Sequence, residues 1–171
     1  GIVATVFQSA KLPLNNVTYF VPFGPPDANV VTKSIDYVQA LPELTAEWDK
    51  FGVVYLAGFS IDNYGIASNF PVNRIEDLKG KKIGGAGPNL AWFKNTGAVG
   101  VQGSLNTFYN DIKTGVYDGA VAFVTSAVPA KLFEVAPHFT VTNFGAMYAG
   151  AVAINKARWN KFPEEVRVAF R

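Results

Sequence analysis

The chain has no cysteine and only one histidine, His138, among its 171 residues. The first absence excludes disulfides, thiolate nucleophiles and cysteine metal sites. The second excludes a multi-histidine metal centre built within one chain. Charge is also scarce: charged residues make up 16% of the sequence, against a usual quarter. Lys and Arg total 15 and Asp and Glu 13, a net charge of +2, with no concentrated basic face such as nucleic acid requires. No apolar run reaches the roughly 18 residues of a membrane span. No charged leader with an apolar stretch and cleavage site is visible, and the sequence opens on Gly1 without Met, so a processed chain or a fragment is expected. What the chain does have is apolar content, 49%, enough to offset chain entropy and to predict an ordered domain or two small lobes.

Residues 2–7 read as a buried strand. Residues 11–26, punctuated by four prolines, read as a loop with a short extended piece at 17–21. Asp27 predicts a capped helix to Ala40, with Val31, Ile35 and Val38 on one face. Pro42 opens a second helix striped by Leu44, Trp48 and Phe51, ended by a left-handed Gly52. Strands follow at 53–59, 66–72, 81–85, 99–102, 116–124, 139–143 and 149–154. Helices are predicted at 89–95, from Ser104 to Thr114, at 125–134 and from Arg158 to Arg171, the last restarted by Pro163. Strands alternating with helices make the class α/β. There is no internal repeat, low-complexity tract or long linker.

Four features could carry chemistry. Gly84-Gly85-Ala86-Gly87 lies between a strand and a helix but fails the dinucleotide fingerprint, because Leu90 stands where the third glycine belongs. What remains is either a tight turn or a set of exposed amides able to hold a carboxylate. His138 lacks a serine elbow, so a surface or hydrogen-bonded histidine outweighs a catalytic one. Asp118, in Asp-Gly, reads as a turn residue rather than a catalytic acid. Aromatics make up 14%; most belong in a core, but Tyr64, Trp92, Phe123 and Phe144 fall at strand ends or beside glycine turns, where an open α/β sheet binds ligands. Asn16-Val-Thr18 matches a glycosylation acceptor, a tripeptide common by chance.

From Pro71 the order of motifs becomes specific. Pro-Val-Asn-Arg-Ile-Glu-Asp-Leu-Lys-Gly-Lys-Lys-Ile (71–83) is followed by Gly97-Ala98, Tyr109, Thr114-Gly115 and Asp118-Gly119. Then come Lys131-Leu-Phe-Glu-Val135, Thr142-Asn143, Asn155-Lys-Ala-Arg-Trp159 and Phe162-Pro-Glu-Glu-Val166. This series resembles the DctP-type solute-binding proteins of tripartite ATP-independent periplasmic (TRAP) transporters; residues 1–70 match more loosely. The resemblance implies a two-lobed periplasmic-binding-protein-like fold with strands crossing between the lobes, incomplete at both ends. Residues 1–61 and 148–171 would belong to one lobe and 62–147 to the other, with hinges near 62–72 and 144–152. It also implies a monomeric periplasmic binding protein, not an enzyme, that needs no metal or cofactor and delivers a small organic acid to a TRAP permease.

The departures from the family pattern shape the expected ligand. Gly84 aligns with the arginine that clamps the ligand carboxylate, a bidentate contact that is hard to replace. Tyr64 aligns with a second arginine, Ala122 with a ligand-facing asparagine, Phe144 with a histidine and Leu105 with a phenylalanine. Without the counter-ion, a small, highly charged dicarboxylate would be expensive to bury. An aromatic or apolar carboxylate is therefore expected, its charge met by the amides of residues 84–89 or by Lys81, Lys82 or Lys94. Predicted contacts are Tyr64, Gly84, Gly87, Asn89, Leu105, Ala122, Phe123 and Phe144, with Phe7 and Gln8 at the end of the first strand. The rival reading is an α/β hydrolase or transferase using Ser60, Ser68 or Ser126 with His138.

Overall fold

The computed structural model describes residues 1–170; Arg171, the expected end of the last helix, lies outside the described residues. Eight strands form two sheets. The first has the order β1 (Ile2–Ala4), β8 (Met147–Asn155), β2 (Val53–Ile61), and is antiparallel throughout. The second has the order β5 (Val99–Gln102), β4 (Lys82–Gly85), β6 (Gly119–Phe123), β3 (Tyr64–Ser68), β7 (His138–Val141). Within it β5, β4 and β6 run parallel, while β6, β3 and β7 alternate. The chain crosses between sheets twice, from β2 to β3 and from β7 to β8.

The longest helix, Ala28–Gln39, starts as its sequence dictates: the Asp27 side chain accepts from the Asn29 amide at 2.8 Å. Val31 and Ile35 bury one face against Tyr148 of the first sheet and Ala146 just before it, and such residues contribute ~1.5–3 kcal/mol each. Pro42–Asp49 follows, and Gly52 takes φ +61° as expected. Ser104 stands at the start of the helix Leu105–Lys113, but it caps through its carbonyl, with no side-chain bond.

Several elements differ from expectation for identifiable reasons. The first strand stops at Ala4, and residues Thr5–Gln8 form a 3₁₀ turn. The Thr5 hydroxyl donates to the Ala149 carbonyl, and the Thr5 carbonyl accepts from Asn16 Nδ2 at 2.9 Å. Side chains thus take the bonds that would continue the ladder. Residues 17–20 are helical rather than extended. Gly87–Phe93 is a 3₁₀ segment, not an α-helix; so short a stretch gains little from helical cooperativity and is held by tertiary contacts. The expected helix 125–134 is two pieces, Val124–Ala127 and Leu132–Glu134. Pro129 cannot donate within a helix and Lys131 turns left-handed at φ 53°. The C-terminal stretch is likewise split, into Lys156–Trp159 and Glu164–Ala169, the second starting after Pro163.

Asn16 cannot be a glycosylation site: it is fully buried, and its Nδ2 also donates to the Leu12 carbonyl. Beside it, the buried Glu47 carboxylate accepts from the Leu14 amide (2.9 Å), the Asn15 amide (3.2 Å) and Asn15 Nδ2 (2.9 Å). Gln39 and Trp48 extend this network. It pins the proline-rich segment to the helix Pro42–Asp49 without a cation. Glu47→Leu leaves three donors unpaired, and is expected to destabilise the protein by about 2–4 kcal/mol in urea denaturation.

Candidate functional site

A cavity of about 240 Å³ opens between the two sheets, at the carboxyl ends of the parallel strands β4 and β6. Ligands bind at this position in open α/β sheets. One side is built by Ala4, Val6 and Phe7 with Phe59 and Ile61, the other by Tyr64, Leu105, Ala122 and Phe123. Its lining is mostly apolar, and no Lys, Arg or His is part of it. The polar groups that reach it are Tyr19, Tyr64, Asn89 and Ser126. Ser126 Oγ donates to the Phe123 carbonyl at 2.8 Å. Asn89 Nδ2 is buried without a partner, and Tyr19 Oη makes no hydrogen bond of good geometry, the Tyr64 hydroxyl being the group that acts on it.

The rings around the cavity form one frame. Tyr64 meets Phe123 and Trp92 edge-on, each at 5.4 Å between centroids, and Trp92 stacks on Tyr19 at 6.2 Å. Trp92 Nε1 donates to the Tyr19 carbonyl at 2.8 Å, locking the frame across the two sheets. Burial raises the Tyr64 phenol well above its usual pKa, reinforced by the neighbouring Tyr19. Burial likewise pushes Tyr19 up to about 12, with Tyr64 partly offsetting it. Both phenols therefore stay protonated through the physiological range and can donate.

Six of the ten expected contacts line this cavity: Phe7, Tyr64, Asn89, Leu105, Ala122 and Phe123. Four do not. Gly84 lies in the β4 ladder with its open face against aromatic rings; a Cβ there would stand 2.9 Å from Tyr117 and 3.2 Å from Phe108. The side of β4 that Gly84 leaves open is thus filled by side chains and is closed to ligand. Gly87, at φ +43°, packs against the Val6 carbonyl, and its amide donates to Gln102 Oε1 at 3.1 Å. The Asn89 amide is bonded to the Ala86 carbonyl. The 84–89 turn therefore holds no free cradle of amides at Gly87 and Asn89. Gln8 faces a separate hollow beside Leu12 and Trp48. Phe144 packs on Trp92 at 4.6 Å and lines a second hollow of about 310 Å³, with the Tyr64–Trp92 contact as the partition. Tyr19 escaped the sequence reading, because a proline-rich segment offers no periodicity to show which way a ring points.

The candidate lysines also lie elsewhere: Lys81 Nζ sits over the Phe70 ring at 4.5 Å, and neither Lys82 nor Lys94 lines the cavity. The elements of the rival reading are not assembled. Ser68 pairs in register with His138, but its hydroxyl donates to the Phe70 carbonyl at 2.7 Å and is fully buried, while His138 is exposed. Asp118 accepts from the Lys82 amide at 2.8 Å, as a turn residue does.

Comparison with known proteins extends the fold and motifs into a family. The model of the DctP family, bacterial extracellular solute-binding protein family 7, matches residues 3–171. The chain belongs to this family. A solute-binding protein of Albidiferax ferrireducens is 33% identical over 129 residues, covering 73% of this chain and 38% of that protein. The C4-dicarboxylate-binding periplasmic protein DctP of Rhodobacter capsulatus is 32% identical over 113 residues, 64% of this chain and 32% of the relative. A TRAP periplasmic solute-binding protein from Pseudomonas putida F1, solved with bound D-glucuronate, superposes with a TM-score of 0.82 at 26% identity, over 99% of this chain and 56% of that one. The chain therefore spans about half the length of that solved relative. A family of solute-binding receptors, not enzymes, sets aside the hydrolase or transferase alternative. Among the described residues, no helix is long and apolar enough to cross a membrane.

The crowding at Gly84 is directly testable. Gly84→Ala must displace Tyr117 or Phe108, and overpacking of this kind is expected to cost about 1–3 kcal/mol. A chemical-denaturation midpoint equal to that of the parent protein would contradict the packing described.

Proposed function

We propose that this chain is the solute-holding portion of an extracytoplasmic receptor that captures a small organic acid with a flat, apolar body and presents it to a TRAP membrane permease. The observation that carries the reading is the cavity between the sheets, small, apolar and framed by rings, at the end of the parallel strands. Family membership supports the transport role. In this reading residues 1–61 and 148–171 act as one lobe and 62–147 as the other. The protein works as a periplasmic monomer and requires no cofactor. Ligand contacts made from both sheets favour the closed arrangement, so closure is a shift of population rather than a separate event. Tyr64, Leu105, Phe123 and Phe7 would cover the apolar body.

Related proteins carry ionised, oxygen-rich ligands, as the names of the C4-dicarboxylate and D-glucuronate proteins state. The present cavity lacks a lining cation, and an ionised group buried without one is penalised more heavily the more charge it carries. A monocarboxylate with a ring is therefore favoured over a compact dicarboxylate.

Thermal unfolding with benzoate, phenylacetate, succinate and D-glucuronate tests this reading. An aromatic acid at a hundred times its Kd adds about 2.7 kcal/mol of stability, and so about 5–10 °C in Tm for a chain of this size. Succinate or glucuronate stabilising the protein more than both aromatic acids would overturn the ligand class.

A further inference from the structure

We propose that the solute is anchored by an uncharged pair of donors, Tyr19 Oη and Asn89 Nδ2, so that the cavity recognises a carbonyl oxygen by hydrogen bonding rather than by charge. It then takes the primary amide of an aromatic acid about as well as the acid itself. The inference rests on the cavity being the ligand site, and it narrows what that site reads.

Tyr19 and Asn89 are each 1% exposed and both line the cavity; Asn89 Nδ2 has no partner, and Tyr19 Oη is met by the Tyr64 hydroxyl, which acts toward it as the donor and leaves the Tyr19 proton without an acceptor. Buried polar groups are nearly always hydrogen-bonded, and an unpaired one is costly, so two donors without acceptors in one hollow call for an explanation. In the Glu47 network, by contrast, Asn15 bonds through both ends of its carboxamide. At Tyr19 and Asn89 the missing acceptor is supplied by the solute.

The two groups come from opposite sides of the cavity. Tyr19 follows Thr18, whose hydroxyl accepts from the Tyr148 amide of the first sheet. Asn89 sits in the 3₁₀ segment after β4 of the second. A carbonyl oxygen has two lone pairs and can accept from both donors at once. One ligand atom would then tie the two sheets together. Because burial holds the Tyr19 phenol up at about 12, this donor does not titrate across the working range. With no Lys, Arg or His in the lining, an ionised acid gains no ion pair over its neutral amide, yet gives up more hydration on entry.

The test is calorimetric titration of the protein with benzoate, benzamide and toluene, alongside the variants Tyr19→Phe and Asn89→Leu. Benzoate and benzamide are expected to bind with Kd values within tenfold of each other. Each variant should bind both at least fivefold more weakly, with toluene unchanged. Asn89→Leu should also melt no lower than the parent without ligand, because it removes an unpaired buried group. A role confined to structure would lower that melting temperature instead. Benzoate binding more than tenfold tighter than benzamide, or less than fivefold weakening in Tyr19→Phe, overturns the inference while leaving the cavity as the binding site. Should neither benzoate, benzamide nor toluene bind, the reading of the cavity fails, and this inference with it. Tyr19→Phe is isosteric and decides the matter alone if Asn89→Leu does not fold.

Discussion

The arrangement of the two sheets depends on the seam where the chain crosses between them. Asn63 Oδ1 accepts from the Gly145 amide at 2.9 Å, and the Thr142 hydroxyl donates to the Tyr64 carbonyl at 3.1 Å. The two crossings are therefore bonded to each other as well as to their own strands. Gly145 has no substitute here: its φ is +91°, and a Cβ would stand 2.6 Å from the Gly24 carbonyl oxygen. The 22–26 loop is laced over the same seam, with the Phe23 amide bonded to the Phe144 carbonyl and the Ala146 amide to that of Pro25. Tyr64 emerges from this knot. Its ring stands where the sheets meet because the backbone on either side of it is fixed.

From that position Tyr64 organises the cavity. It touches Phe123, Trp92 and Tyr19, which come from three different parts of the chain. The frame keeps a 240 Å³ space open where apolar side chains would otherwise close upon each other. Behind the wall, Gly84 lets Tyr117 and Phe108 pack flush against β4. The family resemblance places a clamping arginine at this position. In this chain the volume beside Gly84 is aromatic packing and leaves no room there for a ligand.

The sequence disclosed the parts of the fold that local chemistry governs. Asp27 and the Val31–Ile35–Val38 face specify a helix without reference to anything distant; strand 99–102 lies between Gly97 and Gly103, and the strand expected at 53–59, which runs on to Ile61, starts after Gly52. It failed where distant residues decide. The end of β1 is set by Asn16 and Ala149, neither of which Thr5 can announce on its own. The site divides in the same way. Leu105, Ala122 and Phe123 were legible because they stand at the start of a helix and the end of a strand. Gly84 falls inside β4 and Phe144 between β7 and β8, and a wall of rings separates both from this cavity. The side of a wall depends on which rings pack there, and Tyr117 and Trp92 reach those places only through the tertiary fold.

The unpaired atoms of Tyr19 and Asn89 bring stability and function into opposition. Replacing Asn89 by an apolar residue of similar shape removes a buried, unsatisfied group, a change that is often neutral or favourable for folding. The Tyr19 ring stacks on Trp92 and its carbonyl holds the indole, while its hydroxyl faces that of Tyr64 and keeps its own proton for a ligand. Buried polar atoms left without a bond mark candidate functional sites, where another molecule completes the bonding. Asn16, Ser60 and Tyr148 carry such atoms elsewhere, but Tyr19 and Asn89 both line the cavity between the sheets. The larger hollow beside Phe144 differs: its three threonine hydroxyls donate to the Phe93, Val72 and Tyr64 carbonyls, and its cation, Arg74, is exposed and paired with Asp77.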